Sequence, residues 1–102
     1  MKEHVAIIIE KDDKILFIKR SIKKKSLPGK WAFVSGTIEN ETPFETAERE
    51  SFEELGVKIQ PVNLLAELEL PELNSKLFFI KCKILKGKPY IKKKVSIVGL
   101  DL

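Results

Sequence analysis

Three glutamates, Glu50, Glu53 and Glu54, follow one another at spacings of three and four residues. On a helix, which advances about 100° per residue, all three project from one face within an arc of roughly 100°. Like charges so placed repel one another unless something positive sits among them. A hard divalent cation, Mg²⁺ or Mn²⁺, is the natural partner, because it takes carboxylate oxygens and keeps waters for chemistry. A solvated acidic face on a charged helix explains the same three residues. With 33% of the chain charged, the plainer explanation holds until the neighbours are weighed.

The segment around the glutamates carries its own helix signals. Pro43 suits the first helical position, Thr42 the N-cap, and Gly56 the residue after the last turn, which predicts a helix from Pro43 to Leu55. Ahead of it, Trp31–Val34 reads as a short strand, and Ser35–Thr42 as polar and irregular. Further upstream, Val5–Ile9 is a β-branched run expected of a strand covered on both faces. Turn residues at Lys11–Lys14 lead into Ile15–Ile18, forming a hairpin. Ser21–Lys30 is a loop with a lysine run at Lys23, Lys24 and Lys25 and a Pro28-Gly29 turn signal.

Beyond the helix, Val57–Ile59 is extended and Pro61 breaks it. Val62–Leu70 and Lys76–Leu85 form a second hairpin, and Tyr90–Val98 is at least partly a strand after a Gly87–Pro89 turn. Strands, one clear helix, then more strands describe an α+β or mixed-sheet α/β domain with one conspicuous functional helix. A length of 102 residues predicts a single domain over 1–102.

Composition narrows the class. At 43% hydrophobic the chain has material for a core, which argues against disorder. Cys82 is the one cysteine, so no intramolecular disulfide forms, and its apolar surroundings suit a buried strand thiol. His4 is the one histidine, too little for a histidine-based metal or nucleophile site. The N-terminus lacks a signal-peptide pattern and no segment is long and apolar enough to span a membrane, so a cytoplasmic protein is expected. A net charge of +4 favours polyanionic ligands without establishing nucleic-acid binding.

Gly36-Thr37-Ile38-Glu39-Asn40-Glu41, followed by Arg49-Glu50-Ser51-Phe52-Glu53-Glu54-Leu55-Gly56-Val57, resembles the box of the Nudix (MutT-like) hydrolases. From Glu41 to Val57 every fixed residue type but one stands at the family's spacing, and Trp31–Gly36 resembles its approach to the box. There are two departures. Four residues separate Gly36 from Glu41 where the family has five, and Ser51 stands where an apolar residue is usual. The first could shift a loop carbonyl, Ser35 or Gly36, that helps hold metal in the family. The second weakens helix packing slightly, with Phe52 and Leu55 still expected to face the core.

The resemblance implies a Mg²⁺- or Mn²⁺-dependent pyrophosphohydrolase acting on the diphosphate linkage of a nucleoside diphosphate derivative. By it, Glu53 and Glu54 are metal ligands, Glu50 is a further ligand or the general base, and Arg49 orients the glutamates through charge-assisted hydrogen bonds. Glu41 supports the site from the loop. Glu67, Glu69 and Glu72 stay open as alternative bases, since some relatives place the base outside the box. Arg20, Lys23, Lys24, Lys25 and Lys30 lie in or beside the loop ahead of the box strand and could touch substrate phosphates, against the plainer role of a solvated loop. Lys92–Lys94 reads as surface, and Trp31 as a core or loop anchor.

Many family members continue into another helix over the second face of the sheet, and none is visible in this sequence. A homodimer is one way of covering apolar strands left bare. Two competing functions remain open: a catalytically silent Nudix-like module binding a nucleotide or protein, and an RNA-directed protein, either an RNA-end pyrophosphohydrolase or a binder. Nucleoside triphosphates, ADP-ribose and dinucleoside polyphosphates are all candidate substrates, because base and sugar selection comes from variable loops outside the box.

Overall fold

The computed structural model describes residues 1–24, 28–94 and 97–101. Its organising element is β1 (Lys2–Lys11), whose residues Val5, Ala6, Ile7 and Ile9 are all buried. Along one edge β1 pairs in parallel with β7 (Ser75–Lys86), and β7 pairs antiparallel with β6 (Lys58–Leu70). Along its other edge β1 meets β2 (Lys14–Ile15) and then β5 (Val34–Thr37), both antiparallel. The result is a five-stranded mixed sheet with β6 at one end.

A second, three-stranded antiparallel sheet holds β3 (Phe17–Arg20) between β4 (Trp31–Ala32) and β8 (Ile97–Asp101). Two stretches expected as single strands, Ile15–Ile18 and Trp31–Val34, each break and change sheet. The breaks fall at Leu16, which is fully buried, and at Phe33, which stacks on Phe17 with centroids 5.2 Å apart. The buried cluster gathers Val5, Ile7 and Ile9 from β1 and Phe78, Ile80 and Cys82 from β7. Leu16, Val34, Val57 and Ile59, with Ile18 and Ile97 of the second sheet and Ala47 and Leu55 of the helix, complete it.

That helix, α1 (Pro43–Leu55), has the expected bounds. Thr42 Oγ1 accepts from the Glu45 N–H at 3.1 Å and Glu45 Oε1 from the Thr42 N–H at 2.9 Å, a capping box of the kind that contributes about 1 kcal/mol. Gly56 follows in the left-handed region at φ 66°, and its N–H donates to the Phe52 carbonyl. A side chain there would also strike the Tyr90 ring. The last carbonyls of α1 are met from far along the chain: Tyr90 N–H donates to Leu55 O, and Lys92 N–H to Glu54 O at 3.0 Å.

Several expectations are corrected. Ser35–Thr37, expected to be irregular, belongs to β5 because it pairs with His4–Ala6 of β1. Pro61 does not end a strand. It lies within β6, where the sheet edge tolerates a missing N–H and the ladder shifts register between Pro61 and Asn63. Phe52, expected in the core, is 55% exposed, while Ser51 is fully buried. The buried stripe of α1 runs along two i+4 rows, Thr46-Glu50-Glu54 and Ala47-Ser51-Leu55, and Phe52 lies off both. Trp31 is half-exposed, its indole lying over Gly99 and not in the core. The expectation that Tyr90–Val98 is at least partly a strand holds for Ile97 and Val98, which begin β8, while 95–96 lie outside the described residues. Among the described residues α1 is the one α-helix, and no helix is long and apolar enough to cross a membrane.

Candidate active site

The capping box sets where α1 begins, and its handedness then presents Arg49, Glu50, Glu53 and Glu54 toward the end of β5 and the loop after it. Arg49 is the hub. Its Nη2 donates to Glu41 Oε1 at 2.6 Å and to the Thr37 carbonyl at 3.1 Å, and its Nε donates to the same Glu41 carboxylate. Its Nη1 reaches Glu50 Oε1 at 2.9 Å and Glu53 Oε2 at 3.3 Å. One guanidinium thus ties the loop, the end of β5 and two helical carboxylates together, as its planar fork of five donors allows. Glu41 also accepts from Thr46 Oγ1 at 2.9 Å, and the Arg49 hydrogen bond holds its carboxyl below the ordinary range.

Glu50 and Glu54 occupy the buried side of the helix, at 9% and 7% exposure. Burial raises the Glu50 pKa, with Arg49 opposing the rise. Burial, and then the neighbouring Glu50 charge, push Glu54 up to about 7. Glu54 Oε2 is buried and has no hydrogen-bond partner. Gly36 packs directly on Glu50, and a Cβ there would overlap Glu50 Cγ and Cδ. Only glycine lets the β5 backbone come this close to the carboxylate.

A buried pair of carboxyls, one with an orphaned oxygen, is a donor set short of a positive partner, and a hard divalent cation fits that chemistry. Among the described residues, no three carboxylate, imidazole or thiol groups already converge to hold an ion. Arg49 Nη1 engages both Glu50, at 2.9 Å, and Glu53, at 3.3 Å, and of the three helical glutamates Glu50 and Glu54 are the buried pair.

Of the predicted site residues, the structure brings together Glu41, Arg49, Glu50, Glu53, Glu54 and Gly36. Ser35 lies beside them on β5, its Oγ accepting from Arg20 Nη1 at 3.4 Å. Lys24 acts on Glu54 through its charge, whereas Lys23 and Lys30 are exposed and Lys25 lies outside the described residues. Glu67 and Glu69 are set apart by sheet register. Thr37 pairs with His4, His4 with Leu77, and Leu77 with Leu68, so these glutamates lie three strands, roughly 14 Å, from Thr37.

Two contributors went unnoticed in the sequence. Lys93, expected to be surface only, has its N–H on the Glu54 carbonyl, and its charge acts on both Glu54 and Glu50. Nothing local in Lys92–Lys94 signals this, because the segment reaches the site through its hydrogen bonds to the end of α1. Thr46 could have been found, since an interior helical threonine one turn before Glu50 can turn its hydroxyl back to a loop acid.

The profile of the NUDIX domain matches residues 2–82, and the chain belongs to that family. It is 38% identical over 64 residues to Nudix hydrolase 3 of Caenorhabditis elegans, an alignment covering 62% of this chain and 27% of that protein. The crystal structure of a NUDIX hydrolase from Nitrosomonas europaea superposes with a TM-score of 0.85 at 28% identity, covering 98% of this chain and 55% of that one. A UDP-X diphosphatase superposes with a TM-score of 0.77 at 25% identity, covering 98% and 49%. The chain therefore spans about a quarter of the curated relative and about half of these two structures.

Proposed function

We propose that this chain is a Mg²⁺- or Mn²⁺-dependent pyrophosphohydrolase that cleaves the diphosphate linkage of a nucleoside diphosphate derivative, as a single domain over residues 1–102. The observation that carries this is the buried Glu50–Glu54 pair with its unpartnered oxygen. Two carboxyls buried side by side destabilise the fold unless a cation joins them. Glu50, Glu53 and Glu54, with a carbonyl of Ser35 or Gly36, would hold the metal. When bound, it would neutralise phosphate charge and lower the pKa of the attacking water.

The chain's own groups do the rest. Arg49 holds Glu50 and Glu53 in orientation, and Glu41 holds Arg49. Glu50, where it does not serve as a further metal ligand, is the general base that takes the proton of the attacking water, and burial raises its carboxyl above the ordinary range. Arg20, Lys23, Lys24 and Lys25 supply cations for the substrate phosphates. The likeness to a UDP-X diphosphatase supports a nucleoside diphosphate derivative as the substrate class. Nucleoside triphosphates, ADP-ribose and dinucleoside polyphosphates are the members to try first, and the cytoplasm is the expected site of action.

The test is a nucleotide panel assayed with Mg²⁺ or Mn²⁺ alongside Glu53→Gln and Glu54→Gln. Metal-dependent release of phosphate or pyrophosphate, lost in both variants, is the expected result. Equal inactivity of folded wild type and variants across the panel would overturn hydrolysis in favour of a silent binding module.

A further inference from the structure

The end of α1 is built against its own electrostatics. The carbonyl end of a helix carries partial negative charge, which favours basic side chains in the last turn. Here the last turn holds Glu53 and Glu54 and no basic residue. What offsets this is a strap from far along the chain, residues 90–93. Tyr90 N–H donates to Leu55 O at 3.1 Å, and the Lys92 and Lys93 N–H groups both donate to Glu54 O, at 3.0 and 3.3 Å. The Tyr90 ring lies against Gly56, and Ile91 packs on the core. Ile97 N–H donates in turn to Lys93 O at 3.1 Å, which ties the strap to the start of β8. Lys93 is thus held at its N–H and at its carbonyl.

The two lysines of the strap have different surroundings. Lys92 Nζ lies 4.1 Å from the centroid of the Phe52 ring and is engaged by that aromatic face. Burial raises the carboxyls of Glu50 and Glu54, and the charge of Lys93 opposes the rise at both. Two other cations bear on the pair. Arg49 is already divided among Glu41, Glu50, Glu53 and the Thr37 carbonyl, and Lys24 acts on Glu54. Among the described residues the Lys93 ammonium enters no salt bridge. It is close enough to feel both buried carboxyls and is bound to neither. We propose that Lys93 is a further residue of this active site, whose ammonium takes an oxygen of the substrate's diphosphate once Glu50 and Glu54 are joined to a divalent cation. This role rests on the pyrophosphohydrolase reading above, which brings a diphosphate to that pair. An ammonium suits it as a compact point charge for phosphate. The same charge acts in opposite senses on the two ligands: it repels a metal ion at the carboxylates and attracts a polyanion beside them.

Titration calorimetry reads both senses. One titration uses Mn²⁺ alone; the other uses methylenediphosphonate, a diphosphate that cannot be hydrolysed, with the same excess of Mg²⁺ in cell and syringe. Lys93→Ala keeps the backbone N–H and carbonyl that build the strap, and thermal unfolding verifies that it is folded. It is expected to bind Mn²⁺ about threefold more tightly and the diphosphonate at least about tenfold more weakly. Lys93→Arg should restore most of the diphosphonate affinity. Lys94→Ala, at the next exposed lysine, should leave both affinities within about twofold of wild type. A strap that serves only the fold predicts that Lys93→Ala changes neither affinity. That result, with wild type binding both ligands, overturns this inference alone. A fall in both affinities together, or an equal loss in Lys94→Ala, overturns it too. Wild type that binds neither ligand overturns the hydrolase reading along with it.

Discussion

Replacing Glu54 by glutamine keeps the size of the side chain and its ability to hydrogen-bond while removing the charge. In the metal-free protein the Glu54 carboxyl is pushed up to about 7 from an ordinary 4.5, first by burial and then by Glu50. The folded chain therefore holds this proton more tightly than the unfolded chain does, and between pH 4.5 and 7 stability falls as pH rises. That gap is equivalent to up to roughly 3 kcal/mol once Glu54 is ionised, and a side chain so well buried is little screened by solvent. Glu54→Gln should match wild type below pH 4.5 and become progressively more stable than it up to pH 7 and beyond. In a domain of this size the difference in Tm would be on the order of 10 °C. Mg²⁺ or Mn²⁺ should then raise the wild-type Tm most above pH 7, by relieving the same charge, and leave the variant unmoved. Thermal unfolding from pH 4.5 to 8, with and without metal, reads both effects. Parallel pH profiles for the two proteins, or equal stabilisation by metal, would refute the account of Glu54 as a buried carboxylate awaiting a cation.

Other substitutions probe the supports of the site. Ser51 buries a hydroxyl with no partner, so Ser51→Ala should gain about 1 kcal/mol, seen as a higher urea midpoint; a loss would mean the hydroxyl is satisfied. Gly36→Ala places a methyl group on the Glu50 carboxyl. It should abolish Mn²⁺ binding by titration calorimetry while the chain stays folded, and unchanged binding would show that Glu50 is not a ligand. Arg49→Lys cannot span Glu41, Glu50, Glu53 and the Thr37 carbonyl with one ammonium. It should cost about 2 kcal/mol in urea unfolding and lower hydrolysis at least about tenfold, and stability within about 0.5 kcal/mol of wild type would remove the hub role.

Some of this protein is written in short stretches of chain and could be read there. The bounds of α1 depend on Thr42, Pro43, Glu45 and Gly56, whose hydrogen bonds span no more than four residues. The acidic face that the spacing of Glu50, Glu53 and Glu54 predicts is equally local, and so is the Lys11–Lys14 turn between β1 and β2. Other features depend on chain segments that meet only after folding. Leu16 and Phe33 break their strands because β1 takes one half of each stretch, Ile15 and Val34, while the other half joins the second sheet, β3 beside β8 and β4 beside β3, and no local pattern marks that division. The outward turn of Phe52 and the inward turn of Ser51 follow from which stripe of α1 is buried, Thr46-Glu50-Glu54 and Ala47-Ser51-Leu55. Lys93 reaches Glu54 across thirty-nine residues because the helix leaves carbonyls that a distant segment satisfies. The residue types of the site follow from the sequence alone. Which glutamates are buried, and so which feel the need of a cation most, was decided by tertiary packing, because desolvation depends on everything that surrounds a group and not on its neighbours in the chain.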